Sequence, residues 1–184
     1  RQSSLSAEAH RPLERALKAV DSGILRFSGH GEVGERPGFK SWMEFTRGPV
    51  AGDRVVDGPC QTTNGKSTRL ALQMASTKFQ LLLFDGFVNS EPGYQQFSAI
   101  EKNIEEHYKD LIDVHVIVPA LAKTPSMPKF KSLLLDAERE LHNLYGASSE
   151  CLYLIRPDGY IAFRSQPASW DELSHYLTGL LKGK

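Results

Sequence analysis

Residues 151–165 read Cys-Leu-Tyr-Leu-Ile-Arg-Pro-Asp-Gly-Tyr-Ile-Ala-Phe-Arg-Ser and contain the strongest turn signal in the chain. Pro157-Asp158-Gly159 separates two short apolar runs. Proline presets φ for a turn, and glycine accepts the positive φ that closes it. Nearly every residue of the two runs is apolar, so both faces of each strand would be apolar. We therefore expect a β-hairpin that is covered on both faces. No residue of this hairpin is an obvious catalyst.

The chain before this hairpin alternates between strand and helix patterns. Strand patterns occupy residues 55–61, 67–70, 79–84, 111–118 and 133–135. Helix patterns occupy residues 70–76, 94–108 and 136–145, the last with Asp136 as its cap and Gly146 as its stop. A final helix is predicted after Ser169, which forms a capping box with Glu172. Asn64-Gly65 predicts the turn of an early hairpin.

These patterns combine parallel and antiparallel pairing. A strand–helix–strand crossover favours a parallel pair, whereas the two hairpins add antiparallel strands. One central mixed sheet with helices on both faces accommodates both. Thioredoxin-like folds have this layout, so we predict an α/β, thioredoxin-like domain for residues 54–184.

Residues 1–53 are predicted to form an N-terminal helix, a short strand and an irregular packing arm. The helix is expected at about residues 13–20 and the strand at 24–28. From residue 29 to 53 the composition shifts to glycine, proline and charge with no sustained period, which is typical of a packing arm or a functional loop. Three side chains predict that part of the arm docks on an apolar surface: Trp42, Met43 and Phe45.

Composition limits the classes of function. The 184 residues suffice for one domain with a substantial core, and 22 basic and 22 acidic residues cancel. This balance gives no electrostatic argument for binding nucleic acid or an anionic membrane. No apolar run approaches the roughly 20 residues of a membrane span, and the polar start predicts no signal peptide. Two cysteines fit a reducing cytosol, so we expect a cytoplasmic protein, and the start at Arg1 suggests a fragment of a longer one.

Two glycine-containing segments imitate phosphate-binding motifs. Residues 29–34 form a literal G-x-G-x-x-G, but Pro37 follows where a helix would have to open. Residues 64–68 end like a Walker A loop, yet Cys60 stands where its first glycine is needed. We interpret both segments as turns or loops and predict no nucleotide site.

Thiol chemistry has a defined place in a thioredoxin-like fold. A reactive thiolate belongs at the start of the helix after the first buried strand, where the helix dipole lowers its pKa. That window, residues 85–94, contains no cysteine. Cys60 lies in the early hairpin and Cys151 opens a buried strand, where a thiol is often simply packed. We therefore expect neither disulfide exchange nor peroxide reduction.

The remaining polar candidates have structural interpretations. Glu138 and His142 are one helical turn apart, but a solvated helix face is expected because no third metal ligand lies nearby. His115 alternates with apolar neighbours and is predicted to be a satisfied core histidine. Arg156 and Asp158 are expected to support the turn, and Arg164 could pair with an acid of a neighbouring domain. No Ser-His-Asp arrangement follows from spacing alone, and we predict no catalytic, cofactor-binding or metal-binding residue.

Four segments of the chain carry a resemblance to a known family. They are residues 48–57 (G-P-V-A-G-D-R-V-V-D), Asn64-Gly65 with Thr68-Arg69-Leu70, residues 79–84, and residues 153–164. In this order they resemble the C-terminal thioredoxin-like domain of FAD-dependent aromatic hydroxylases, the phenol hydroxylase group. The G-D-R-x-x-D opening is also similar to the start of peroxiredoxins, which share the fold. The resemblance covers about residues 21–181, and its most specific part is L-I-R-P-D-G-Y-I-A-F-R.

The resemblance implies a parent flavoprotein monooxygenase that uses FAD, NAD(P)H and O2 to hydroxylate a phenolic ring. In that family the flavin and substrate sites lie in preceding domains of the same chain. The thioredoxin-like domain lacks the redox cysteines, packs on the upstream domains and contributes to subunit contacts. The resemblance therefore implies a structural, docking or oligomerisation role and a homodimer contact, with no enzymatic activity of this fragment alone.

Two other classes of function stay open at this point. One is a stand-alone thioredoxin- or peroxiredoxin-like thiol oxidoreductase that uses Cys60 or Cys151. The other is a small-molecule or partner-binding module that uses the loop from Pro119 to Pro128 and the Trp42 arm.

Overall fold

The fold is described by a computed structural model for residues 39–87, 91–119 and 128–182. Its seven strands are β1 (Pro59–Thr62), β2 (Ser67–Arg69), β3 (Phe79–Phe84), β4 (Ile112–Val118), β5 (Leu133–Leu135), β6 (Cys151–Ile155) and β7 (Ile161–Ser165). The five helices within these ranges are α1 (Phe39–Arg47), α2 (Leu70–Gln73), α3 (Glu91–His107), α4 (Glu140–Tyr145) and α5 (Trp170–Lys182). All seven strands belong to one sheet.

The sheet has the strand order β2-β1-β5-β4-β3-β6-β7. β3 pairs in parallel with β4, and β4 in parallel with β5. The other neighbours are antiparallel: β1 with β2, β1 with β5, β3 with β6, and β6 with β7. The predicted central mixed sheet is therefore confirmed, with the parallel strands in the middle and a hairpin at each side.

Helices cover both faces of the sheet because the central strands are apolar on both. On one face, α3 and α5 pack on the inner strands through Phe97, Ile100 and Leu173. On the other, α1, α2 and α4 contribute Phe45, Leu70, Leu141 and Tyr145 to a second cluster. Tyr153 of β6 is at the centre of this second cluster, where its ring lies 5.0 Å from Tyr145.

The hairpin at 151–165 forms as predicted. Every residue of β6 is buried, and Gly159 has a φ of 82° in the turn. The amide of Arg156 donates to the carbonyl of Tyr160 at 2.8 Å. The outer side of β7 is partly covered by an earlier segment, since the amide of Ile161 donates to the carbonyl of Asp53 at 2.9 Å.

One prediction about the arm was wrong: residues 39–47 form helix α1 instead of irregular structure. Its apolar and polar residues are strongly segregated, which is the condition for an amphipathic helix to pack on a core. Phe45 is completely buried, so the expected docking contact exists at that residue. The predictions for residues 1–38 lie outside the described residues.

Several predicted boundaries also shift. The first hairpin strand covers Pro59–Thr62 rather than 55–61, and α3 begins at Glu91, three residues earlier than predicted. Helix α4 begins at Glu140 rather than directly after Asp136. Asp136 nevertheless provides a hydrogen-bond acceptor for the first turn of α4, because its carboxylate accepts the amide N–H of His142 at 2.8 Å.

Two predicted helix ends are confirmed, and both depend on residues next to the helix in sequence. Gly146 caps α4 with a φ of 63°. Ser169 Oγ accepts the amide N–H of Glu172 at 3.3 Å at the start of α5. Both follow the usual logic of helix caps, in which the free backbone groups of the end turns find a nearby partner.

Candidate functional site

The corner between β3 and α3 is where a thioredoxin-like fold would hold a reactive thiol, and here it holds a carboxyl group. Asp85 follows the last residue of β3 and is completely buried. The hydroxyl of Tyr94, in the second turn of α3, donates to Asp85 Oδ2 at 2.5 Å. Burial raises the pKa of Asp85 to about 7, although the Tyr94 hydrogen bond opposes this; the charge of Glu150 adds to the rise.

Neither cysteine is suited to nucleophilic chemistry. Cys60 in β1 and Cys151 in β6 are both free and buried. Burial raises the pKa of Cys60 to about 11, and the charges of Asp136 and Asp57 add to that effect. Burial likewise raises the pKa of Cys151 far above its ordinary value. Both groups are therefore protonated thiols at neutral pH, whereas the thiolate is the reactive form.

Glu138 and His142 do not form the solvated pair that their spacing predicted. Glu138 is exposed, but His142 is completely buried, and its Nδ1 lies 2.7 Å from Asp136 Oδ2. Burial would raise the pKa of Asp136, but hydrogen bonds from the side chain and amide of His142 outweigh it and hold the pKa below its usual value. His142 Nε2 has no hydrogen-bond partner, and the ring packs edge-on against Phe84 at 5.3 Å.

Arg164 is an interior residue and does not reach outward for an acid of another domain. It is 2% exposed, and its guanidinium lies 4.4 Å above the ring of Phe45. Its Nη1 donates to the carbonyls of Phe45, Gly48 and Pro49 at 2.8, 3.3 and 2.9 Å. Arg164 therefore joins the end of α1 to β7. At the turn, Arg156 and Asp158, which were expected to support the turn, form an exposed ion pair of 2.5 Å.

His115 of β4 is a satisfied core histidine, as predicted. Its Nδ1 lies 2.7 Å from Ser132 Oγ and its Nε2 lies 2.9 Å from Gln80 Oε1. Burial lowers the pKa of His115, although the charge of Asp113 opposes the shift. The ring is therefore neutral at pH 7, with both nitrogens engaged.

A cavity of about 520 Å³ opens beside this histidine. Ile104 of α3 and the first half of β4 form part of its wall, with His115 and Ser132 in the lining. Sequence reasoning missed this site because its polar groups are far apart in the chain. A weak signal existed: Gln80 interrupts the otherwise apolar β3, and His115 is a polar residue of the neighbouring strand β4.

The remaining predicted motifs have limited roles in the described part of the chain. Gly65 has a φ of 79° in the β1–β2 turn, which confirms the hairpin turn at Asn64-Gly65, while Ser67 and Thr68 already belong to β2. The G-x-G-x-x-G at 29–34, the side chain of Trp42 and residues 120–127 lie outside the described residues. Among the residues that are described, no group of three or more potential metal ligands occurs, and no helix is long and apolar enough to cross a membrane.

Comparison with solved structures identifies the fold. The chain resembles a thiol peroxidase of Chromobacterium violaceum with a TM-score of 0.58 and 13% identity, over 74% of this chain and 90% of that one. The chain resembles peroxidoxin BcpB of Mycobacterium tuberculosis with a TM-score of 0.58 and 17% identity, over 73% of this chain and 98% of that one. It also resembles a thiol:disulfide interchange protein of Bacteroides sp., with a TM-score of 0.57 and 12% identity, over 73% of this chain and 91% of that one.

No protein-family model matches the chain, and no curated protein matches it significantly. At 12–17% identity the structural likeness concerns the fold and not the chemistry. The mixed seven-stranded sheet with helices on both faces is the thioredoxin-like fold in its peroxiredoxin-like form.

Proposed function

We propose that this chain is a thioredoxin-like module without thiol redox chemistry, and that it serves as the C-terminal docking or oligomerisation domain of an FAD- and NAD(P)H-dependent aromatic monooxygenase. The observation that carries the first part is the absence of cysteine from residues 85–94. A buried carboxyl group, Asp85, occupies that corner instead. The thiols of Cys60 and Cys151 are buried and protonated. The thiolate that would attack a disulfide or a peroxide is therefore not formed at neutral pH.

The assignment to a flavoprotein hydroxylase is supported by the resemblance of residues 153–164 and of the three earlier segments to that group. FAD and NAD(P)H would then be bound by upstream domains of the same polypeptide. The surface of this module would contact those domains or a second copy of the chain. We place the parent protein in the cytoplasm, because buried free thiols are compatible with a reducing compartment.

A thiol titration with an activity assay tests the first part. We expect the native chain to react slowly with Ellman's reagent and to release two equivalents of thiol only after denaturation. It should reduce neither insulin disulfides nor hydrogen peroxide above the rate of the buffer. Cys60→Ser/Cys151→Ser is the matched control, and it should be indistinguishable from the parent chain. Turnover that disappears in this double variant would overturn the proposal.

The complete reading frame tests the second part. We expect a preceding region of several hundred residues with a G-x-G-x-x-G turn between a strand and a helix, which is the fingerprint of a dinucleotide-binding fold. A start codon directly before Arg1 would contradict the assignment. Light scattering on the purified parent protein, with and without this module, would then measure its contribution to oligomerisation.

A thioredoxin-like thiol oxidoreductase is the second candidate, favoured by the names of the structural neighbours, which include a thiol peroxidase and a thiol:disulfide interchange protein. In this case Cys60 is the better nucleophile, since burial raises the pKa of Cys151 further than that of Cys60. Single variants distinguish the two candidates. Loss of peroxidase or disulfide reductase activity in Cys60→Ser, with activity retained in Cys151→Ser, would favour this second function.

A further inference from the structure

We propose that Ser132 is a nucleophile activated by His115, in a site that transfers or hydrolyses the acyl group of small uncharged esters. The proposal rests on a side-chain relay beside the cavity between α3 and the first half of β4, and it is independent of the thiols. Ser132 Oγ lies 2.7 Å from His115 Nδ1, and both residues line the cavity.

The hydrogen bonds of Gln80 assign the tautomer of the histidine. Gln80 Nε2 donates to Ser76 Oγ at 2.8 Å and to the carbonyl of Lys78 at 3.1 Å. Gln80 Oε1 is therefore the acceptor that faces His115 Nε2, at 2.9 Å, so Nε2 carries the ring proton. Nδ1 is then unprotonated and accepts the hydroxyl proton of Ser132. Gln80 is a positioning residue, which orients the base as the third member of a catalytic triad does.

The surroundings keep this arrangement rigid and its base neutral. The carbonyl of Ser132 accepts the amide N–H of Val116 at 2.9 Å, which fixes the serine backbone directly before β5. Asp113 accepts hydrogen bonds from Ser76 at 2.8 Å and from Lys78 at 3.1 Å, so its charge is already compensated. Burial lowers the pKa of His115, which leaves the imidazole free to take a proton at pH 7.

The lining of the cavity indicates the class of substrate. Its volume of about 520 Å³ lies within the usual range for small-molecule sites. Ile104, Ile112 and Val114 give it an apolar wall. Three lysines and four carboxylates also line it, so their charges largely cancel and favour an uncharged ester over a strongly charged substrate. The ammonium group of Lys131 lies 2.5 Å from Glu105 Oε2, and it would have to leave this carboxylate to stabilise the negative oxygen that develops on the carbonyl.

The reaction needs no redox partner. Ser132 Oγ attacks the ester carbonyl while its proton passes to His115 Nδ1, and a tetrahedral oxyanion forms. The C–O bond to the alcohol breaks, and the leaving alkoxide takes the proton from Nδ1. A water molecule then attacks the acyl-serine and gives a proton to Nδ1; the bond between the acyl carbon and Ser132 Oγ breaks, Oγ takes the proton from Nδ1, and the carboxylic acid leaves.

The test is covalent labelling followed by hydrolysis of an ester. A fluorophosphonate probe should label the folded chain at Ser132, as located by peptide mass spectrometry. p-Nitrophenyl butyrate should be hydrolysed, with a loss of at least about 100-fold in kcat/KM in Ser132→Ala and His115→Gln. Ser67→Ala, at an exposed serine of β2, is the matched control and should keep full activity. Gln80→Leu should lower kcat and leave KM unchanged.

The labelling result decides the proposal even if a variant fails to fold. Absence of label at Ser132 in the folded parent chain, or label on lysines alone, overturns it. An equal rate of hydrolysis in Ser132→Ala and the parent chain also overturns it. Circular dichroism of each variant separates loss of the nucleophile from loss of the fold.

Discussion

Asp85 places a carboxyl group at the corner between β3 and α3, where the thioredoxin-like backbone would otherwise hold a reactive thiol. Its carboxyl group is buried at the end of β3 and held by the hydroxyl of Tyr94. Two effects disfavour ionisation there: the loss of water, which is the larger, and the neighbouring charge of Glu150. The carboxyl group at this corner therefore takes up a proton on folding near neutral pH, and its ionisation changes the stability of the fold.

Asp85→Asn tests this at the level of stability. The pKa of the buried carboxyl group is about 7, against an ordinary value of 3.8, so the native state binds a proton that the unfolded chain releases. The contribution is favourable below pH about 4 and is lost as the pH rises to 7 and above. We expect Asp85→Asn to be more stable than the parent chain at pH 8, by roughly 1–4 kcal/mol, and to have a smaller advantage at pH 5, which lies inside the window between the two pKa values.

Urea denaturation at the two pH values measures the difference. Asp110→Asn is the matched control, since Asp110 is exposed, and it should change the free energy of unfolding little at either pH. An Asp85→Asn variant that is destabilised equally at both pH values would show that Asp85 is ionised in the native state.

At the scale of elements, the short helix α4 depends on its C-terminal glycine. Gly146 has a φ of 63°, and a Cβ atom placed there would lie 2.2 Å from the carbonyl oxygen of Glu44 in α1. The residue thus ends α4 and lets α1 approach closely. Two requirements coincide at one position, and only a residue without a side chain satisfies both.

Gly146→Ala should therefore cost more than backbone strain alone. Gly65 has a φ of 79° but no atom within 4 Å of the equivalent Cβ position, so Gly65→Ala isolates the strain. We expect about 1–2 kcal/mol of destabilisation for Gly65→Ala and clearly more for Gly146→Ala. Thermal denaturation of both variants checks this order. Equal losses would mean that α1 moves away at no cost.

At the scale of the whole molecule, Arg164 connects parts of the chain that are far apart in sequence. It joins β7 to carbonyls in the last turn of α1 and just after it, across 115 to 119 residues. Its guanidinium also covers the ring of Phe45, so hydrogen bonding and packing act together. The start of the described chain is in this way held against the hairpin near its end.

Arg164→Met should release this connection. It removes the guanidinium donor from three carbonyls, of which that of Phe45 keeps the amide N–H of Gly48 at 3.1 Å, so we expect a loss of about 2–5 kcal/mol. Amide hydrogen exchange should also become faster at Phe45 to Gly48. Arg156→Met, which removes an exposed ion pair at the turn, is the control and should cost less than about 1 kcal/mol. Similar losses in the two variants would contradict the anchoring role.

The sequence predicted the architecture better than the candidate site. Turn residues and strand-length apolar runs act locally, so the hairpin at 151–165, the Asn64-Gly65 turn and the mixed sheet follow from the pattern. Helix α1 was missed because it has only nine residues, and the glycine and proline on both sides of it made the whole segment look irregular. His142 and Arg164 were misjudged because their burial is set by distant elements, which spacing along one helix or strand does not encode.

The place of the hairpin in the sheet has a consequence for synthesis on the ribosome. β3 pairs with β6 on one side, but about 70 residues separate them, and β4 and β5 are made in between. Until residues 151–155 emerge, the run Phe-Gln-Leu-Leu-Leu-Phe of β3 has an open edge, which is a template for unwanted association. Residues 151–155 thus cover the open edge of β3, and a nascent chain that stalls before them leaves this apolar edge exposed.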